Sequence, residues 1–171
     1  MTLRRLASKC ANTAGVARLS SYFSPGQLGV GIPGGCEAAI HSARRYVQSM
    51  PAGHVMVKLD FTNAFNSLHR LDMLLAVKER LPELYAYSCS AYARPSVLYY
   101  GSFMLMSNEG PQQGDPVGPL LFRNTIQPLL ESVESDLPLG YLDDFTLAGP
   151  QSVVSEDVNR VVEKNRPSLG P

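Results

Sequence analysis

The sequence is defined first by what it has little of. Among its 171 residues there are only three cysteines and three histidines. Cys10, Cys36 and Cys89 are widely spaced and odd in number, and no C-x-x-C occurs. That excludes a disulfide framework and a zinc knuckle, and leaves reduced thiols of an intracellular protein, cytoplasmic or nuclear rather than secreted, with Cys89 expected in the core. No apolar run approaches the ~20 residues that cross a bilayer, so no membrane is expected as partner. The opening MTLRRLASKCANTAG lacks the apolar stretch of a signal peptide. There is no internal repeat, no low-complexity block, no G-x-S-x-G and no H-E-x-x-H. His41, His54 and His69 are too dispersed for a histidine metal site. Gly29-Val30-Gly31-Ile32-Pro33-Gly34 matches G-x-G-x-x-G in form only. It follows a Ser-Pro-Gly loop instead of a strand, and no acidic residue lies about 20 positions on, so it is not read as a dinucleotide site.

There is no net charge either, with 15 basic and 15 acidic residues, but their distribution is uneven. Over residues 1–50, Arg4, Arg5, Lys9, Arg18, Arg44 and Arg45 face Glu37 alone, and the balance reverses over residues 51–150. A basic front and an acidic middle suit a protein that holds a polyanion with one part and metal ions with another; ordinary surface variation gives the same pattern.

Hydrophobic spacing predicts helices over 3–19, 36–50, 67–81, 118–134 and 152–164. In the first, Leu3, Leu6 and Ala7 share a side. In the third, Leu68, Leu71 and Leu75 line one face. In the fourth, Phe122, Ile126, Leu129, Leu130 and Val133 face inward, with Pro128 expected to kink it. Strands are expected over 54–61, at 96–101 and 103–108 as a hairpin, and around Asp143-Asp144 within 139–149. The order implies an α+β fold with helices on a largely antiparallel sheet.

Three segments carry chemistry. Asp60 ends an apolar strand and Phe65 follows five residues later. Gln112-Gln113-Gly114-Asp115-Pro116 leads into a helix. Tyr141-Leu142-Asp143-Asp144 lies between apolar residues. Taken singly, each has a plain reading: Asp60 as a helix cap, Asp143-Asp144 as turn formers, the Gln-Gly-Asp-Pro segment as a loop and helix start. Adjacent carboxylates in apolar surroundings, however, repel each other and call for a cation.

In this order the segments resemble motifs A, B and C of reverse transcriptases. The fuller wording, GIPGGCEAAIHSARRYV, KLDFTNAFNSLHR, EGPQQGDPVGPLLF and GYLDDFTLAG, is similar to the enzymes of non-LTR, LINE-type retrotransposons, and the likeness spans about Leu3 to Lys164. The resemblance implies a polymerase palm over 54–164, part of the fingers over 1–53 and a disordered tail over 165–171. It implies two-metal nucleotidyl transfer, in which two Mg²⁺ ions, with Mn²⁺ as a substitute, stabilise the attacking and leaving oxygens. Asp60, Asp143, Asp144 and the carbonyl of Phe61 would be the ligands, with Asp144 the auxiliary acid. Phe65 would stack under the incoming deoxyribose and exclude a 2′-hydroxyl. Gln113 and Gly114 would lie along the nucleotide, Tyr141 near the primer end, Gln27 near the template, and Arg4, Arg5 and Lys9 along primer or template. Partners would be an RNA template, a DNA primer and dNTPs. The family carries an Arg-Pro-Ile-type segment before TLRRLASK, and a Leu-Asn-x-x-Lys-type segment, primer grip and thumb beyond Lys164. The expectation is therefore a truncated chain, poorly active alone. The alternative is a catalytically inactive retrotransposon remnant that only binds RNA.

Overall fold

In the computed structural model, residues 2–164 are described; the expected tail at 165–171 lies outside them. The fold is mixed α+β, with seven helices and two small antiparallel sheets among the described residues. By contacts the chain divides into two compact units that interleave in sequence: 1–24 with 61–127, and 25–60 with 128–171. One crossover falls between Gln127 and Pro128, inside a helix, at the residue expected to interrupt it.

In the first unit, helix α1 (Thr2–Phe23) is longer than its apolar pattern suggested. Its buried stripe is Ser8, Ala11, Gly15, Leu19 and Phe23, whereas Leu3 and Leu6 face outward. Gly15 is small because α6 (Gly118–Glu131) passes there: a Cβ would come within 2.4 Å of Leu120 Cδ2. After a single turn, α3 (Ala64–Ser67), the expected helix 67–81 begins only at Arg70, as α4 (Arg70–Arg80). Its buried face is Met73, Leu74, Ala76 and Val77, while Leu71 and Leu75 are exposed. Helix α5 (Pro82–Tyr92) had no counterpart in the sequence reading, although Pro82 at its first turn and Glu83 beside it are ordinary start signals.

Strands β2 (Ser96–Tyr100) and β3 (Phe103–Ser107) form the expected hairpin. They make a sheet of their own. Tyr99, Tyr100 and Phe103 are exposed at its tip. Arg70 ties the base of this hairpin to α4. Its guanidinium donates from Nε to the Gly110 carbonyl (3.0 Å), from Nη1 to the Arg94 carbonyl (3.3 Å) and from Nη2 to Ser107 Oγ (2.9 Å). Burial holds the Arg70 pKa below the usual arginine range.

Helix α6 is buried nearly all round, as a central helix must be. The expected inward face is only partly right: Phe122, Leu129 and Leu130 are buried, but so are Arg123, Asn124 and Gln127, while Ile126 and Val133 are half-buried. Several of these polar atoms have partners within the unit. Arg80 donates to Asn124 Oδ1 and to its carbonyl, both at 2.8 Å, and Gln127 Nε2 donates to the Tyr22 carbonyl at 3.2 Å.

The second unit holds α2 (Gly35–Gln48), β1 (His54–Asp60), β4 (Leu137–Tyr141), β5 (Asp144–Pro150) and α7 (Gln151–Lys164). The sheet order is β1-β5-β4, antiparallel throughout. Helix α7 packs on β5 and β1, and α2 on β4. In β5, Phe145 and Leu147 are buried, opposite Leu59 and Val57 of β1. Each such large side chain contributes ~1.5–3 kcal/mol by leaving water. The alternation that buries them brings Asp60 and Lys58, opposite Asp144 and Thr146, onto the other face.

Asp157 of α7 is a fully buried carboxylate. It accepts from the backbone N–H groups of Glu134 (2.9 Å) and Ser135 (2.8 Å) and from Ser135 Oγ (2.6 Å), and Arg160 Nη1 pairs with it at 3.0 Å. It fastens the segment that leads from α6 into β4.

Candidate functional site

The second unit carries the acidic residues picked out by sequence. Asp60 is the last residue of β1, and its register partner is Asp144, the first residue of β5. Tyr141 also pairs with Asp144, so Leu142 and Asp143 form a two-residue hairpin turn. Leu142 has φ +54°, and Asp143 is not in the left-handed region. Positive φ at the first central position alone is the pattern of a type II′ turn, where glycine is the usual residue. A leucine held there costs ~1–2 kcal/mol, because Cβ crowds the following carbonyl. Such outliers cluster at functional sites.

The electrostatics are equally unfavourable for stability alone. Asp60 and Asp144 are like charges directly opposite each other on adjacent strands, a destabilising arrangement. Lys58, two residues before Asp60, offsets it in part: Lys58 Nζ lies 3.1 Å from Asp144 Oδ1, in a pair open to solvent. Exposed pairs of this kind contribute ~0–1 kcal/mol. The Asp60 and Asp143 side chains have no ion pair or hydrogen bond to the described residues, and their oxygens are open to external ligands.

Gln27 and Tyr141 belong to the same unit. Tyr141 is exposed at the end of β4. Gln27, expected near the template, is wholly buried. It bridges to Gly140, and its Oε1 accepts from its own loop at Gly29 N, 2.5 Å away. Its place is beneath the Tyr141-Leu142 turn, where a Cβ on Gly29 would come within 2.6 Å of Leu142 N. Nε2 of Gln27 has no hydrogen-bond partner. Its role as a template contact is thus replaced by support of the turn.

The first unit gathers most of the remaining expected residues around one groove. Two adjoining cavities, of about 300 Å³ and 490 Å³, share the loop Gln112–Pro116. Arg4 and Arg5 line the smaller cavity, and Arg5, Lys9 and Phe65 line the larger. Phe65 is stacked on Phe122, ring centroids 4.2 Å apart. The stack fixes the ring and leaves Phe65 only half-buried. Gln113 is exposed and donates from Nε2 to Asn66 Oδ1 at 3.4 Å. Gly114, at φ +80°, has open space on the side where a Cβ would point. Gly110, also in the left-handed region, lets the loop approach closely: a Cβ there would lie 2.0 Å from the Phe65 carbonyl oxygen. Phe61 begins the second stretch of this unit, next in the chain to Asp60.

Sequence reasoning missed what holds the loop. The Asp115 side chain is 5% exposed and has three partners. Oδ1 accepts from the Val117 N–H at 3.2 Å, and Oδ2 from the Tyr92 hydroxyl at 2.5 Å, while Arg4 Nη2 lies 3.5 Å away. Burial, then the hydrogen bond to Asp115, pushes the Tyr92 hydroxyl well above the ordinary tyrosine pKa. Tyr92 comes from α5, the helix absent from the sequence reading. The only signal available was Asp115 two residues before Val117, an Asx-type turn pattern.

Among the described residues, no three His, Cys, Asp or Glu side chains converge on a point suited to a metal. This donor set still suits hard divalent cations. Mg²⁺ keeps several waters and binds through one or two carboxylates plus substrate phosphates, rather than in an all-protein cage. No protein-family model and no curated protein matches the sequence.

Proposed function

We propose that this chain carries the nucleotidyl-transfer centre of an RNA-directed DNA polymerase of the reverse transcriptase type, with a palm-type sheet formed by β1, β5 and β4. The observation that carries the reading is the register. Asp60 stands opposite Asp144, and Asp143 sits in a strained two-residue turn one position earlier. Like charges opposed across two strands, with Lys58 beside Asp144 alone and no partner for Asp60 or Asp143 among the described residues, are what a cation-dependent site requires.

Asp60, Asp143 and Asp144 would hold Mg²⁺ or Mn²⁺, with the Phe61 carbonyl as a further oxygen. The ions would stabilise the primer 3′-oxygen as it attacks the α-phosphate of a dNTP and the pyrophosphate oxygen as it leaves. Arg5 and Lys9, with Arg4, supply positive charge for phosphates in the groove of the first unit. Phe65, immobilised on Phe122, offers a flat apolar surface to a sugar and crowds a 2′-hydroxyl. Gln113 and Gly114 form an exposed edge with an open backbone for a base and sugar to lie against. Tyr141, exposed beside Asp144, is available to a primer end. RNA template, DNA primer and dNTPs are the corresponding partners.

The test is primer extension on an RNA template with Mg²⁺. It uses the chain as it stands and a form extended at both ends with reverse-transcriptase fingers and thumb sequence. The extended form is expected to add dNTPs, and Asp143→Ala to abolish addition while leaving the fold intact. Failure of the extended form, or extension that survives Asp143→Ala, overturns the reading in favour of a non-catalytic, RNA-binding remnant.

A further inference from the structure

We propose that the β2–β3 hairpin is a self-association arm, and that its partner is the same hairpin of a second copy of this chain. Residues 96–107 read SVLYYGSFMLMS, without a charged residue or a proline. Val97 to Tyr100 and Phe103 to Met106 are each 44–78% exposed. The register puts Val97, Tyr99, Met104 and Met106 on one face and Leu98, Tyr100, Phe103 and Leu105 on the other, so both faces are apolar. An antiparallel sheet with one solvated face ordinarily makes that face polar. Ser107 shares the second face, and its Oγ accepts the bond from Arg70 of α4, which turns the first face away from that helix. A two-stranded hairpin by itself is marginal in water at best. Strands β2 and β3 pair with no other strand, and Arg70 fastens only the base.

The strand edges are equally open. The pair that closes a two-residue turn exchanges hydrogen bonds, and the alternation that follows points the N–H and C=O groups of Val97 and Tyr99 outward along β2 and those of Met104 and Met106 outward along β3. Proteins guard such edges with charge, proline or a bulge. Here there is no charge, no proline and, in an unbroken register, no bulge. The same features choose the occupant. A neutral arm offers nothing to attract a charged partner, and two copies of it meet without like-charge repulsion. Tyr, Phe and Met in the absence of Lys, Asp and Glu are the composition of a protein interface core. The exposed fractions amount to about five large side chains, or ~1,000 Å² at ~200 Å² each. A stable complex takes ~800 Å² from each partner. An antiparallel strand is complementary to its own copy about a two-fold axis, and that symmetry closes the assembly at two chains. The inference goes beyond the nucleotidyl-transfer reading and stands without it, since it requires no metal, nucleotide or nucleic acid.

The experiment is sedimentation equilibrium of the full chain over a wide range of concentrations. The unmodified chain is compared with Tyr99→Lys/Met106→Lys, with Tyr99→Glu/Met106→Glu and with the uncharged Tyr99→Ser/Met106→Ser. Both positions are exposed and lie on the same face without being register partners, so the new charges are not directly opposed within one hairpin. Circular dichroism checks that each variant is folded. The unmodified chain should pass from monomer to dimer as concentration rises. Each charged variant should dimerise ~100-fold or more weakly, because like charges then meet across the axis. The serine variant should also weaken the dimer, by less, through lost apolar surface. An equimolar mixture of the lysine and glutamate variants should restore a dimer, now of unlike chains. An unmodified chain that stays monomeric overturns the proposal, and binding of that monomer to phosphatidylcholine vesicles would give the arm to a membrane instead. Open-ended aggregation, charged variants that dimerise like the unmodified chain, or a mixture that stays monomeric overturns it too.

Discussion

Replacing Asp157 by asparagine changes one oxygen to an amide with almost no change in volume, and it reaches the most heavily bonded buried carboxylate of the second unit. Oδ2 accepts from Glu134 N, Ser135 N and Ser135 Oγ at 2.9, 2.8 and 2.6 Å, and Oδ1 faces Arg160 Nη1 at 3.0 Å. The side chain is 1% exposed, so water cannot replace a lost partner. Asparagine keeps one acceptor and turns an NH₂ either toward backbone N–H donors or toward the guanidinium. Hydrogen bonds to a charged group contribute ~1.5–3 kcal/mol each, and opening a buried pair from one side costs ~3–5 kcal/mol. The expected loss for Asp157→Asn is ~3–5 kcal/mol, a large part of the ~5–15 kcal/mol that holds a domain together. Urea unfolding at neutral pH, followed by circular dichroism, reads it as a lower midpoint at unchanged slope. Arg160→Met should cost less, and the double variant should cost less than the sum of the singles, because the two side chains share one network. An Asp157→Asn chain within ~1 kcal/mol of the original refutes the reasoning, since that is the worth of one ordinary neutral hydrogen bond.

Tyr92 gives a pH-dependent expectation. Its hydroxyl pKa is raised in the fold, chiefly by burial and then by Asp115, so it contributes stability that is fully present below the unfolded value of ~10 and is lost as pH climbs from there toward the folded value. Stability should fall above pH ~10 by up to ~1.4 kcal/mol per pH unit, and Tyr92→Phe should remove that part of the slope; an unchanged alkaline slope in urea titrations counts against the raised pKa. At Leu142, glycine and alanine should appear in reversed order: an ordinary Ala-to-Gly change destabilises by ~0.4–1 kcal/mol, but at φ +54° Leu142→Gly should be the more stable of the two by ~1 kcal/mol. Finding Leu142→Ala the more stable would place the turn outside the left-handed region.

The sheet was readable because its pattern is local. Val55, Val57 and Leu59 alternate with Lys58 and Asp60, and that alternation places β1 with its charged end at Asp60. The three segments singled out as candidates stand out in the sequence for the same reason, as short runs with fixed spacing. Helix faces were harder. In α4, positions 71 and 75 continue one apolar stripe from Leu68, and 73, 74 and 77 form another; periodicity alone cannot choose between two apolar sides. The choice is made by what packs there, and Leu71 and Leu75 lose it. Buried polar residues were invisible for a further reason. Arg70, Arg123, Asn124 and Asp157 read as surface in any hydropathy pattern. Arg70, Asn124 and Asp157 are inside because a partner distant in sequence meets them, as Ser107 and Gly110 meet Arg70. The hairpin at 96–107 shows the reverse: its strands were legible, but not that nearly every apolar side chain on it would be exposed.

Within the second unit, polar groups are treated in two opposite ways, and the contrast bears on function. Asp157 is surrounded by donors until its carboxylate is satisfied. At one end of the sheet, Asp60 and Asp144 are set against each other, and Asp143 projects from a turn that its neighbour Leu142 enters at a conformational cost. The same unit thus satisfies one buried charge fully and leaves others opposed and open at one end of its sheet. That sheet end holds both the opposed carboxylates and the strained Leu142, and a well-specified fold breaks local rules of stability at working sites. Lys58 shows what the exposed carboxylates call for. Its ammonium approaches Asp144, leaves Asp60 and Asp143 without a partner, and remains solvated itself. A single mobile monovalent charge cannot neutralise three carboxylates at one strand end. Divalent cations with open coordination positions can, which is why the proposed nucleotidyl-transfer reading rests on this strand end.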